Sequence, residues 1–159
     1  MRPLAALLLL AAVAAPPTAA ETLRAESSAG PLAVSRVGPE LSHPWGLAFL
    51  PDFAEAGAVL VTEREGRLLL IEDGAAREVS GLPPIAAIGQ GGLLDVALAP
   101  DFAESGRLFL SHAAPAGNGA ANTAVTRARL DRAGPRLTEV ERIFEAASNG
   151  RGGRHFGSR

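Results

Sequence analysis

GLAFLPDFAEAGAVLVT (residues 46–62) and DVALAPDFAESGRLFLS (residues 95–111) decide the fold. At an offset of 49, Ala48, Pro51, Asp52, Phe53, Ala54, Glu55 and Gly57 recur as Ala97, Pro100, Asp101, Phe102, Ala103, Glu104 and Gly106. Each copy is a short apolar run, a PDFAE turn, a glycine and a second short apolar run. Repeats of roughly 40–50 residues built from short strands have the spacing of propeller blades. The expected class is all-β.

Working outward, the first unit reads as four strands: Gly46–Leu50, Ala58–Glu63, Arg67–Ile71 and Ala76–Val79. Pro51–Asp52, Glu65–Gly66 and Asp73–Gly74 supply the turns, since Pro presets φ, Asp bonds to nearby backbone and Gly takes positive φ. The second unit repeats the plan with Leu93–Ala99, Arg107–Ala113, Thr123–Leu130 and Leu137–Phe144, and Ala114–Ala121 reads as a longer loop. Blade one is placed at about 46–80, blade two at about 93–145, and 146–159 is the loop toward a third. Residues 21–31 read as a flexible lead-in. Leu32–Val37 reads as a peripheral strand of the kind that completes a blade begun by the other chain end. Two blades cannot close a ring, so the expectation is a fragment of a longer propeller.

Ahead of these units, Met1–Arg2, the apolar run Leu4–Ala15 and the sequence PPTAA form a secretory signal peptide over residues 1–20, cut before Glu21. The run is too short, and too soon broken by Pro16–Pro17, to span a bilayer. After cleavage no stable membrane insertion is expected, and the location is periplasmic or secreted. With 15 Lys+Arg against 17 Asp+Glu, the chain lacks the basic footprint of a nucleic-acid binder. The absence of cysteine excludes disulfides, thiolate metal sites and CxxC haem attachment. Three scattered His and no Asp-rich loop give no metal site, and no Ser lies in a G-x-S-x-G context.

In a propeller, the connections from one outer strand to the next inner strand converge over one end of the axis. Here these are 39–45, 81–92 and 146–159, which carry His43 and Trp45, then Gln90, then Arg151, Arg154 and His155. The topology therefore brings Gln90 and His155 to one mouth. His155, in a glycine-rich loop, reads either as a solvated surface residue or as a base, because an imidazole accepts a proton from a hydroxyl within reach. Gln90 in GQGG is either a turn filler or a ligand contact where glycines admit close backbone approach. Trp45 reads as a packing plug and His112 as structural or solvated. Asp52 and Asp101, recurring with the repeat, read as structural, and Arg64, Arg67 and Arg107 as solvated flanks.

HPWGLAFLPDF, VTEREGRLLLI, GLPPIAAIGQGGLLDVALAPDF and GRHFGSR together resemble the amino-terminal part of the soluble, pyrroloquinoline quinone-dependent sugar (aldose, glucose/sorbosone-type) dehydrogenases, from about Leu32 to Arg159. The resemblance implies a six-bladed propeller in the full-length parent, with only about two blades here. It implies that His155 is the general base for oxidation of an aldose's anomeric hydroxyl, that Gln90 lies at the quinone and that Asp95 is next to the site. Ser158 falls at a small-residue position of the same motif. Pyrroloquinoline quinone and calcium are the implied cofactors, with most of their binding residues in later blades. An aldose sugar and an unidentified electron acceptor are the implied partners. The fragment alone is expected to be inactive. Two alternatives stand beside this reading: a non-catalytic propeller that binds protein or glycan, and a calcium-dependent lactone hydrolase.

Overall fold

The computed structural model describes residues 22–147 and 152–157. The signal segment, Arg151, Ser158 and Arg159 lie outside the described residues. The chain divides into two compact units, one ending at Arg36 and one running from Val37 to Arg159. In the first, β1 (Thr22–Ser27) and β2 (Gly30–Ser35) form an antiparallel hairpin. The stretch read as a flexible lead-in thus contains a strand. Its signal was weak because the apolar residues of TLRAES are isolated, and most of the hairpin is exposed.

The second unit is two four-stranded antiparallel meanders. The first contains β3 (Pro44–Phe49), β4 (Val59–Glu63), β5 (Arg67–Glu72) and β6 (Ala75–Glu78), paired in chain order. The second contains β7 (Leu93–Leu98), β8 (Arg107–Gly117), β9 (Ala120–Asp131) and β10 (Arg136–Glu145), again in chain order. Every strand expected from the repeat is present in its expected place. The Ala114–Ala121 stretch is not a loop: β8 and β9 continue to a tight turn at Asn118–Gly119, where φ is 49° and 71°. Positive φ at both central residues matches the twist of the flanking strands. Ala113, Ala114, Ala120 and Ala121 are buried along those extensions, which ties down a hairpin whose composition alone looks loop-like.

The two PDFAE copies fold identically, each as one helical turn rather than a plain turn. These are α1 (Phe53–Ala56) and α2 (Phe102–Ser105). Asp52 and Asp101 stand before them, and Gly57 (φ 57°) and Gly106 (φ 66°) end them in the left-handed region, their N–H groups bonding back to Phe53 and Phe102 carbonyls. The recurrence of these residues in the sequence therefore reports a recurring backbone shape.

The core lies between the two sheets. Leu60, Leu68 and Leu70 of the first meet Val96, Phe102, Leu108, Leu110, Ala128 and Leu130 of the second. Thr62, fully buried, stitches the inner strands together: its Oγ1 accepts from the Gly46 N–H (2.8 Å) and donates to the Leu94 carbonyl. Arg132, in the β9–β10 turn, grips Asp52 through two nitrogens (2.8 and 3.2 Å) and Glu72 through Nε (3.1 Å). Hydrogen bonding to Arg132 holds the Asp52 carboxyl below its usual range. For Glu72, burial pulls upward, and Arg132 and Arg77 outweigh it to leave a net lowering.

Equivalent positions of the repeat differ in burial. Phe102 is 7% exposed and Phe53 37%. Leu94 and Val96 on β7 are buried, whereas their counterparts Trp45 and Leu47 on β3 are 44% and 45% exposed. Val96 packs into the core shared with the first sheet and Leu94 against Phe156, Ala113 and Ala121, and among the described residues of the second unit the first sheet has no sheet on its outer face. Trp45, expected to be a packing plug, is exposed, as are Leu47 and Phe49 on the first sheet's outer face. The segment ahead of β3 covers part of it: Leu41 packs on Val59, Val61 and Ile71, and the Ser42 N–H donates to the buried Glu63 carboxylate (2.5 Å).

Candidate functional site

Gln90 and His155 are 65 residues apart in sequence and adjacent in space: the His155 backbone N–H donates to Gln90 Oε1 (3.1 Å). A second bond runs between the same loops, from the Gln90 N–H to the Gly153 carbonyl (2.8 Å). Gly89, at φ 57°, lies so close to Gly153 that a Cβ there would overlap the Gly153 carbonyl oxygen. That is the physical reason for glycine beside Gln90. Both residues are exposed, and His155 itself sits at φ 61°. An unbranched residue held in the left-handed region carries strain that its surroundings must offset.

The next residue provides the anchor. Phe156 is buried with Leu94, Ala113 and Ala121. Its carbonyl accepts from Thr123 Oγ1 on β9. The HF pair therefore divides its labour, one ring locked into the sheet and the other left facing solvent. Asp95 lies on β7, partly buried, with its N–H donating to Ser111 Oγ (3.0 Å). Its Oδ1 sits 2.7 Å from where a Cβ on Gly46 would stand, so this carboxylate marks the contact between the inner strands β3 and β7.

Arg64, read as a solvated flank, is instead part of this end of the molecule. Its side chain is 25% exposed, and its Nη1 donates to the Gly89 carbonyl (2.5 Å). Its own carbonyl accepts from the Leu93 N–H (3.0 Å), and a Cβ on Gly92 would overlap that carbonyl oxygen. Nη2 reaches Glu65 Oε1 (3.1 Å), which also holds His43 Nδ1 (2.8 Å). The β4–β5 turn thus backs the GQGG loop, which in turn backs His155. Sequence reasoning missed this, because the groups that hold Arg64 in place come from loops distant in sequence.

Arg67 is likewise no simple flank, for its Nε donates to the fully buried Glu63 carboxylate (2.6 Å). Arg107 pairs with the exposed Asp101, in keeping with a solvated position. His112 is fully buried, its Nε2 2.9 Å from Thr126 Oγ1 and its Nδ1 without a hydrogen-bond partner. Burial pushes its pKa down, so it is a neutral core residue and not a second base at the surface. Among the described residues no group of three His, Cys, Asp or Glu is placed to hold a metal, and no helix is long and apolar enough to cross a membrane.

Comparison with known proteins meets this geometry from the other side. Residues 41–159 match the family profile described as Glucose / Sorbosone dehydrogenase. The aldose sugar dehydrogenase YliI of Escherichia coli (strain K12) is 43% identical over 122 residues, covering 76% of this chain and 32% of that protein. A crystal structure of glucose dehydrogenase superposes with a TM-score of 0.69 at 45% identity, over 75% of this chain and 34% of the other. The PQQ-bound form of an aldose sugar dehydrogenase from Streptomyces coelicolor superposes with a TM-score of 0.61 at 25% identity, over 83% and 36% respectively. The chain spans about a third of the length of these relatives.

Proposed function

The chain belongs to the glucose/sorbosone dehydrogenase family, and on that premise we propose that the whole protein oxidises an aldose at its anomeric hydroxyl to the lactone, with pyrroloquinoline quinone as acceptor. The fold proposed for it is a six-bladed ring in which β3–β6 and β7–β10 are two blades. The observation that carries the reading is the hydrogen bond joining the Gln90 carboxamide to the His155 backbone, which gathers both residues at one end of the sheets. Export to the periplasm or beyond is part of the same proposal.

The quinone, when bound, supplies the two-electron sink. His155 takes the hydroxyl proton onto a ring nitrogen as the carbonyl forms, the task a base beside the reacting carbon must perform. Gln90 holds the His155 backbone through its Oε1, and its exposed carboxamide would contact the quinone when that is bound. Asp95, on the inner strand β7, lies beside Gly46 of the inner strand β3. The donor chemistry of the two loops, an imidazole and a carboxamide exposed on a glycine-rich surface, suits one side of a planar, carboxylate-bearing quinone. Among the described residues no group of three His, Cys, Asp or Glu is placed to hold a calcium ion.

Aldose oxidation by the full-length holoenzyme with an artificial electron acceptor tests the reading. His155→Ala is expected to lower kcat by roughly 10²–10⁴-fold, with an unchanged unfolding midpoint. Near-normal turnover would remove His155 from the role. The 159-residue chain alone is expected to give no turnover.

A further inference from the structure

We propose that Arg64 is a positioning residue for His155, acting through the Gly89–Gln90 peptide; this deepens the functional reading above and rests on it. Three contacts lie in series. The Arg64 guanidinium donates to the Gly89 carbonyl, the Gln90 N–H donates to the Gly153 carbonyl, and Gln90 Oε1 accepts from the His155 N–H. Three of the four residues in GQGG are glycine, so Gln90 is the one side chain the loop can use to hold itself. Glycine adds conformational freedom, so the register of Gln90 must be imposed from outside.

Arg64 is suited to that task on both ends. Its backbone is fixed by bonds from its N–H to the His43 carbonyl (3.1 Å) and from the Leu93 N–H to its carbonyl (3.0 Å). Its guanidinium is held from behind by Glu65, which His43 steadies in turn. A charge-assisted bond from a fixed guanidinium is stronger and more directional than one between neutral groups. The strained φ of His155 makes it sensitive to slack in this chain, since its left-handed backbone persists only while neighbours hold it. A shift of about 1 Å at a reacting group is enough to cost on the order of 10²-fold in rate.

The test uses the full-length holoenzyme with Arg64→Met and Arg64→Lys, read by kinetics and by amide hydrogen exchange. Arg64→Met is expected to lower kcat by about tenfold or more with KM nearly unchanged, and Arg64→Lys, which retains one donor, to recover part of the loss. Independently of turnover, exchange at the Gln90 and His155 amides is expected to quicken in Arg64→Met while Leu60 and Leu110 amides keep their protection. Unchanged kcat and unchanged exchange at Gln90 and His155 would overturn the proposal. So would faster exchange spread evenly over the sheet amides, which marks a merely structural arginine. If His155→Ala retains turnover, the functional reading fails instead, and the exchange data still decide whether Arg64 orders the loop.

Discussion

Phe53 and Phe102 offer an internal control for how the two sheets pack. They occupy the same position of the same helical turn, yet one is 37% exposed and the other 7%. An aromatic side chain buries on the order of 200 Å², so this difference leaves roughly 60 Å² more apolar surface removed from water at Phe102, worth about 1.5 kcal/mol. Truncation at Phe102 also opens an enclosed cavity, whereas truncation at Phe53 leaves a dent that solvent fills. Phe102→Ala should therefore cost about 3–4 kcal/mol. Phe53→Ala, which loses partial burial and an edge-on contact with Phe49 (centroids 4.6 Å apart), should cost about 1–2 kcal/mol. Urea unfolding of the two variants, with slopes checked for constancy, reads the difference directly. Equal losses at both positions would refute the claim that only the second sheet has this face covered.

Other outcomes follow from single contacts. Thr62→Val should cost about 1–3 kcal/mol, because the Gly46 N–H and Leu94 carbonyl lose their shared buried partner; calorimetric melting checks it. Arg132→Met should cost about 1 kcal/mol after allowance for solvent screening. The gap from wild type should close as pH falls below about 4, where Asp52 and Glu72, both with lowered folded pKa, become protonated. Stability measured against pH should also fall from about 6.5 downward, because His112 is depressed in the folded state and the unfolded chain binds the proton first. His112→Gln should flatten that limb; an unaltered slope would place its origin elsewhere.

The strands and their order were legible because the repeat states them twice, and the apolar runs of β4 and β5 are buried on both faces, as their composition implies. The meeting of Gln90 with His155 was legible from topology alone, since connections of one type must emerge at one end. What escaped were features set by contacts distant in sequence. Arg64 acquires its partner 25 residues away, and the buried Glu63 accepts from the Ser42 N–H 21 residues before it as well as from the nearby Arg67. Nothing local separates either from an ordinary surface charge. The β8–β9 extension was misread for the opposite reason: Asn118–Gly119 is a strong hairpin signal, but the surrounding Gly, Pro and Ala dilute it into apparent loop.

The open flank of β3 also bears on the contacts this chain can make with others of its build. Leu47 and Phe49 stand exposed on one side of the strand, while Ala48 between them packs against the core on the other. An apolar strip in water favours whatever covers it, and a copy of the same strip across a dyad would serve as well as an unlike surface.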